Sequence, residues 1–325
     1  MPEPLVEMLW EARDPHDALA TRFGFGGGQS ACRWVAATLR QYWGIRLDSC
    51  ERIVLSNHNA LAWVETPVGR LLAKWSAVPE RFAQLAELAR LTSWLDGRDL
   101  PVSAPLPALD GRLQVEANGA SLGMQRVVEG DLLDPADPDQ VRAAGATLAR
   151  LQDALATYPR TELLAAPVEP LHPLPQRIAR WLDSYAGHLP TAARDALRRR
   201  LADAPGDTAS ADTAPTQLLH YDYRSANVLC RGPEVAAVLD FEQARLDHRI
   251  VELARSAVVL GTRYRDWGPV SPAVHEGFRA GYESVRPLTV AESAWWPAVL
   301  LWQALLAVPA GEDPTGWMAA ALSLI

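Results

Sequence analysis

Leu218-Leu219-His220-Tyr221-Asp222-Tyr223-Arg224-Ser225-Ala226-Asn227-Val228-Leu229, and after it Val238-Leu239-Asp240-Phe241-Glu242, carry the reading of this chain. Three short apolar runs, Gln217 to His220, Asn227 to Cys230 and Val235 to Asp240, read as small strands. Asp222 lies in the segment joining the first two runs, and Asp240 closes the third. Upstream, Val141 to Thr157, Pro175 to His188 and Ala192 to Ala202 show helical spacing. They are interrupted by proline-rich Tyr158 to Pro175 and by Ala202 to Thr216, whose Ala, Asp, Thr, Pro and Gly predict a surface loop. Downstream, Ala294 to Val308 is apolar but too short to span a bilayer and contains Pro297 and Gln303, so it reads as a buried helix.

The N-terminal part has a different texture. After an irregular start, Ser30 to Trp43 places Ala31, Trp34, Val35, Leu39 and Tyr42 near helical spacing, with Ser30 as N-cap and Gly44 as terminator. Arg52 to Leu55, Leu61 to Thr66 and Arg70 to Trp75 read as three antiparallel strands. Pro79 to Leu95 follows as a helix, then strand candidates at Leu113 to Ala117 and Leu122 to Val127. The expected organisation is α+β: a small antiparallel β lobe over 1–127 with a leading helix at 30–43, and a larger, mainly helical lobe over 128–325.

A chain of 325 residues with 49% apolar content can bury a sizeable core. With 31 basic against 39 acidic residues, a net of −8, its surface is not built to neutralise a phosphate backbone, and nucleic acid is not an expected partner. The three cysteines, Cys32, Cys50 and Cys230, leave an odd one over and lack metal-ligand spacing, which predicts neither a disulfide framework nor a zinc site and suits a reducing compartment. The first residues, with Pro2, Glu3, Pro4 and Glu7, lack the basic start and apolar core of a secretory signal. A cytoplasmic protein without membrane contact is the expectation.

His220-Tyr221-Asp222 with Asn227 fits H-x-D-x-x-x-x-N, and Leu239-Asp240-Phe241 adds a second carboxylate at a strand end. Phosphoryl transfer needs little covalent chemistry from a protein. It needs a carboxylate to orient the attacking hydroxyl, oxygen ligands for Mg²⁺, and a cation on the nucleotide phosphates. Asp222 fits the first task, Asn227 and Asp240 the second. Aspartates also cap turns, but two acids and an asparagine at this spacing, each beside a short strand, favour chemistry.

The segment from Leu218 to Ala254 resembles the aminoglycoside phosphotransferase, choline kinase and homoserine kinase group, relatives of the protein kinases. The resemblance rests on His220-Tyr221-Asp222, Asn227-Val228-Leu229, Leu239-Asp240-Phe241 and Glu252-Leu253-Ala254. It implies a two-lobed protein-kinase-like fold and an ATP- and Mg²⁺-dependent kinase. Gly69 to Trp75 resembles the third strand of that group, whose lysine contacts the nucleotide phosphates; Lys74 is the sole lysine among 31 basic residues. Glu87 is its expected partner on the next helix, with Glu80 as the alternative. Leu55 to Leu61 lacks glycine, and there backbone amides with Ser56 and Asn59 are the candidates to cover phosphates. Gln125 to Val127 resemble the hinge that contacts adenine. His220 is read as a brace for the loop, and Glu252 as a structural acid paired with Arg249. The glycine run Gly24 to Gly28 lacks Gly-Lys-Ser/Thr and reads as a flexible entry loop. Trp267, Trp295, Trp296 and Trp302 fall where that group builds its acceptor pocket, where aromatics can box a cation, although core packing suits most of them better. The expected reaction is transfer of the ATP γ-phosphoryl to a hydroxyl of a small molecule resembling an aminoglycoside, choline or homoserine. Peptide Ser/Thr phosphorylation and a non-catalytic nucleotide-binding scaffold are the alternatives, and a protein or peptide partner is not indicated.

Overall fold

The computed structural model describes residues 3–164, 172–204 and 216–325. Residues 165–171 of the proline-rich interruption and 205–215 of the expected surface loop lie outside the described residues. The chain divides into two compact units, Met1–Glu129 and Gly130–Ile325.

In the first unit β1 (Leu5–Met8), α1 (Pro15–Phe23) and α2 (Gly28–Trp43) precede β2 (Ser49–Leu55), β3 (Ala60–Thr66) and β4 (Gly69–Ser76). A 3₁₀ turn at Pro79–Arg81 leads into α3 (Phe82–Asp96), followed by β5 (Val115–Ala117) and β6 (Ala120–Arg126). The six strands form one sheet in the order β1-β2-β3-β4-β6-β5. The expected strands pair antiparallel, while β1, in the start read as irregular, adds a parallel edge to β2 with Leu5 opposite Arg52.

The irregular start therefore contains a strand and a helix, and local signals for the helix were present. Asp14 accepts from the Asp17 amide at 2.8 Å as N-cap, Pro15 occupies the first turn, and Gly24 ends the helix at φ 75°. Helix α2 starts at Gly28 with Gly27 as N-cap, and the Ser30 hydroxyl donates to the Gly27 carbonyl at 2.7 Å rather than capping. The glycine run is thus a tight joint between two helices. A Cβ on Gly28 would stand 2.7 Å from Pro4 Cγ.

Strand alternation sorts the first unit's core. Ala62 and Val64 of β3, Leu71, Ala73 and Trp75 of β4, and Leu122 and Met124 of β6 join Leu19 of α1 and Val35 and Leu39 of α2 in one buried cluster. The intervening positions Leu61, Lys74 and Gly123, paired across the strands, belong to the opposite face. The same packing overturns the cysteine expectation: Cys32 of α2 and Cys50 of β2 are disulfide-bonded with Cα atoms 6.3 Å apart. A helix laid on a sheet brings together positions whose spacing carries no such signal, and the odd cysteine count no longer argues for a reducing compartment.

The second unit comprises β7 (Asp131–Leu132), α4 (Pro138–Leu155), α5 (Thr161–Leu164), α6 (Leu174–Ser184), α7 (Thr191–Asp203), β8 (Thr216–Leu219), β9 (Val228–Arg231), β10 (Glu234–Val238), β11 (Arg245–His248), α8 (Arg249–Val259), α9 (Pro272–Val285), α10 (Val290–Leu306) and α11 (Trp317–Leu322). Strands β10, β9 and β7 form one small sheet, and β11 pairs with β8 in another. Helices α4 and α9 pack backbone against backbone: a Cβ on Gly145 would collide with the Phe278 carbonyl, and one on Gly281 with that of Arg142. Helix α10 is the apolar stretch read as buried, and among the described residues no helix is long and apolar enough to cross a membrane.

Arg249 does not pair with Glu252. Its guanidinium instead grips Glu292 on α10, Nε on Oε1 and Nη2 on Oε2 at 3.2 Å, and the Glu292 side chain is fully buried. Burial pushes the Glu292 carboxyl up, but the bonds from Arg249 and the Thr289 amide outweigh it and leave the group below its ordinary value. A depressed native value means that the stabilisation is present above the unfolded carboxylate range and is lost as pH falls through the native one. Arg249→Met should therefore cost about 3–5 kcal/mol near neutral pH by stranding a buried charge. The deficit should shrink on acidification, as read from urea unfolding at the two pH values.

Candidate active site

Strand β8 ends at Leu219, and the loop to β9 is held from several sides. The His220 ring is fully buried. Its Nδ1 accepts from the Asp222 amide at 3.2 Å, so Nε2 carries the hydrogen and donates to the Leu239 carbonyl at 2.8 Å. Phe241 packs on the imidazole with centroids 4.5 Å apart. The expected bracing role of His220 has this physical form. Tyr223, buried, donates to the Ala144 carbonyl of α4 at 2.9 Å, the Ser225 hydroxyl to Leu133 O at 2.9 Å, and the Tyr264 hydroxyl to Ala226 O at 3.0 Å.

Within this frame the side chains of Asp222 and Asn227 meet. Asn227 Nδ2 donates to Asp222 Oδ2 at 2.7 Å and to the Asp222 carbonyl at 2.8 Å. With the amide nitrogen turned towards Asp222, the Asn227 carboxamide oxygen faces away from it. The Leu239 amide donates to Asn227 O at 2.8 Å. Leu239 is therefore tied to the loop through both its backbone groups, and Asp240 follows it as an exposed residue in the left-handed region, φ 59° and ψ 74°.

Tyr221, between His220 and Asp222, is also left-handed at φ 66°, a conformation uncommon for a bulky residue. Its amide donates to Glu252 Oε1 at 2.5 Å, and its carbonyl accepts from Arg255 Nε at 3.0 Å. Glu252 is fully buried and takes a second bond from Gln152 Nε2 at 2.7 Å. Burial pushes its carboxyl above the ordinary value, against the pull of those donors.

Arg224 escaped the sequence reading although its signal was present. It stands two residues past Asp222 in extended backbone, φ −158° and ψ 170°, so the two side chains share a side. Its Nε donates to Asp222 Oδ1 at 3.0 Å, and its guanidinium lies 5.2 Å from the ring of Trp267. Of the four singled-out tryptophans, Trp295, Trp296 and Trp302 are buried, whereas Trp267 is half exposed.

In the first unit, Ser56 and Asn59 close the turn between β2 and β3: the Ser56 amide donates to Asn59 O at 2.8 Å and the Asn59 amide to Ser56 Oγ at 3.2 Å. Lys74 is half-buried on β4, opposite Leu61 and Gly123. Glu87 is buried on α3 and accepts from Arg90 Nη1 at 2.9 Å. Gln125 Oε1 takes the Ser103 hydroxyl at 3.2 Å, and the Val127 amide donates to Arg70 O at 3.2 Å. That amide is thus already engaged within the sheet.

A β-rich unit followed by a helical one, with a rigid His-x-Asp loop and a second Asp at a strand end, defines the kinase-like phosphotransferase class of protein. The model of the phosphotransferase enzyme family (APH) matches residues 49–292, and the chain belongs to that family. A homoserine kinase of Methylobacillus glycogenes is 30% identical over 223 residues, 67% of this chain and 65% of that enzyme, so the match spans just under two thirds of the relative. A homoserine kinase of Neisseria meningitidis serogroup B is 27% identical over 221 residues, 66% of this chain and 67% of that enzyme. Among solved structures, an amicoumacin kinase in complex with AMP-PNP, Ca²⁺ and Ami superposes with a TM-score of 0.61 at 13% identity, covering 90% of this chain and 91% of that one. A spectinomycin phosphotransferase in complex with ADP and spectinomycin gives 0.57 at 10% identity, covering 90% and 98%. At such identities the structural likeness establishes the fold alone. The resemblance carried by Leu218 to Ala254 and the α+β kinase-like fold it implied are both borne out.

Glu252→Ala would leave the Tyr221 amide without its acceptor in a buried, left-handed turn. It should cost about 1–3 kcal/mol, seen as a lower urea midpoint with an unchanged m-value.

Proposed function

We propose that the protein transfers the γ-phosphoryl group of ATP to a hydroxyl of a small-molecule acceptor of the amino-alcohol, amino-acid or aminoglycoside kind. The observation that carries this reading is the Asp222–Asn227 side-chain bond of 2.7 Å, in a loop that His220 ties to Leu239 immediately before Asp240. Asp222 orients the acceptor hydroxyl and takes its proton as the oxygen attacks. Arg224, on the other oxygen of Asp222, keeps that carboxylate from rotating. Asn227 through its carboxamide oxygen and Asp240 through its carboxylate would hold Mg²⁺. Two hard oxygen donors, with no group of three or more His, Cys, Asp or Glu suited to a metal among the described residues, fit an ion that takes one or two protein oxygens and completes its shell with phosphates and water. Bound there, Mg²⁺ would neutralise charge on the nucleotide phosphates. Lys74 contacts the phosphates with Glu87 as its partner, and the closed Ser56–Asn59 turn covers them. Gln125 and Val127 border the adenine; because the Val127 amide is engaged by Arg70, purine contacts there fall to the Val127 carbonyl and the backbone of Val128.

A phosphate-acceptor screen with ATP and Mg²⁺ across homoserine-like amino acids, choline-like alcohols, aminoglycosides and Ser/Thr peptides tests the reading; turnover only on peptides, or on nothing, would defeat it. Asp222→Asn is expected to lower kcat by about 10²–10⁴-fold with nucleotide affinity nearly unchanged, the two being read by steady-state kinetics and by titration with a non-hydrolysable ATP analogue. Lys74→Met should cost about 2–4 kcal/mol in kcat/KM. Lys74→Arg should not restore the rate, because a planar guanidinium does not replace a compact ammonium. Full activity in either Lys74 variant would remove Lys74 from the phosphate site while leaving the Asp222 assignment standing.

A further inference from the structure

Beside the catalytic loop, on elements that the proposed mechanism does not use, positive charge accumulates around Tyr221. Arg245 of β11 places its guanidinium carbon 3.2 Å from the Tyr221 ring centroid, and Arg255 of α8 stands 5.2 Å from it. Arg177 of α6 is locked on Asp247, Nη1 to Oδ1 at 2.5 Å and Nη2 to Oδ2 at 2.8 Å, and Asp247 is buried. Among the described residues neither Arg245 nor Arg255 has a carboxylate partner within ion-pair distance. Asp247 is taken by Arg177, and the Glu252 carboxyl by the Tyr221 amide and Gln152, so among the described residues Arg245 and Arg255 stand at the ring without an ion pair of their own, in a chain whose net charge is −8. The Tyr221 phenol does not offset their charge: burial, reinforced by the Asp247 charge, pushes its ionisation up, with the nearby arginines opposing.

Like charges are not gathered around a buried ring without cost. A bound oxyanion offsets that cost and uses the planar fork that arginine offers to carboxylate or phosphate. We propose that Arg245 and Arg255, with Arg177 behind them, form an anion site at Tyr221 that takes a carboxylate or phosphate group adjacent to Asp222. Arg245, exposed on β11, is the residue a ligand reaches first. Arg255, bonded to the Tyr221 carbonyl, links occupancy of the site to the backbone that carries Asp222. The site itself does not depend on the kinase reading; its use by the acceptor's own anionic group does.

The test compares the full chain with Arg245→Ala and Arg245→Lys, each checked for an unchanged far-UV circular dichroism spectrum. Inorganic phosphate is titrated calorimetrically, and KM is measured for paired acceptors that differ only in a carboxylate. If a free anion is the ligand, phosphate binding weakens at least tenfold in Arg245→Ala and is largely retained in Arg245→Lys, with KM unchanged. If the anion belongs to the acceptor, KM for the carboxylate-bearing member rises at least tenfold in Arg245→Ala with kcat preserved, and its neutral counterpart is unaffected. Equal phosphate binding in all three proteins, together with equal KM values, overturns the site. Should no acceptor be turned over, the kinase reading fails and phosphate binding alone decides: a loss in Arg245→Ala supports the site and equality overturns it.

Discussion

The imidazole of His220 is the constraint on which the rest of the candidate site depends. A buried ring with one donor and one acceptor nitrogen must satisfy both, and here the acceptor takes the Asp222 amide while the donor takes the Leu239 carbonyl. One side chain thereby fixes the distance between the loop that carries Asp222 and the strand end that carries Asp240. The Leu239 amide, bonded back to Asn227, closes the same link from the other side. Phe241 covers the ring and keeps water from competing for those bonds.

That link holds two residues in backbone conformations that a free chain rarely visits. Tyr221 and Asp240 are both left-handed, each at a cost of order 1–3 kcal/mol. Strain of this size persists only where the surroundings over-determine it. Around Tyr221 the determinants are the Glu252 carboxylate on its amide and the Arg255 guanidinium on its carbonyl. Glu252 accepts the Tyr221 amide in a fully buried place with a second bond from Gln152, and Gln152 is itself bonded to Tyr282 and to Arg286. The loop is thus held by a polar network in the helical unit rather than by any stiffness of its own sequence.

Charge is distributed with the same economy. Asp222 is engaged on both oxygens, by Arg224 and by Asn227, so its direction is set within the protein itself, which in the role proposed for it is the form of preorganisation that phosphoryl transfer rewards. Asp247 and Glu292, buried acids outside the loop, each have an arginine of their own. Among the described residues Arg245 and Arg255 have no carboxylate within ion-pair distance, which sets the surroundings of Tyr221 apart from those of Asp247 and Glu292.

Much of this was legible without coordinates. Short runs rich in β-branched, aromatic and leucine residues placed β2, β3 and β4 within a few residues of their ends, and the spacing of His220, Asp222, Asn227 and Asp240 marked the loop, because both signals are local. Helix α1 was equally local, written in Asp14, Pro15 and Gly24, and was passed over only because the apolar residues around it are sparse. Strand β1 was less so, since Leu5 to Met8 becomes a strand only by pairing with β2. The Cys32–Cys50 bond, the choice of Glu292 over Glu252 by Arg249, and the meeting of Arg177, Arg245 and Arg255 around Tyr221 were not legible at all. The sequence by itself determined which residue types stand at which intervals along strands, helices and the catalytic loop, since propensity and periodicity act over a few residues. Which charges are paired, which backbone is strained and which arginines are left without a carboxylate were decided only by the tertiary structure, because those properties belong to side chains brought together from elements far apart in the chain.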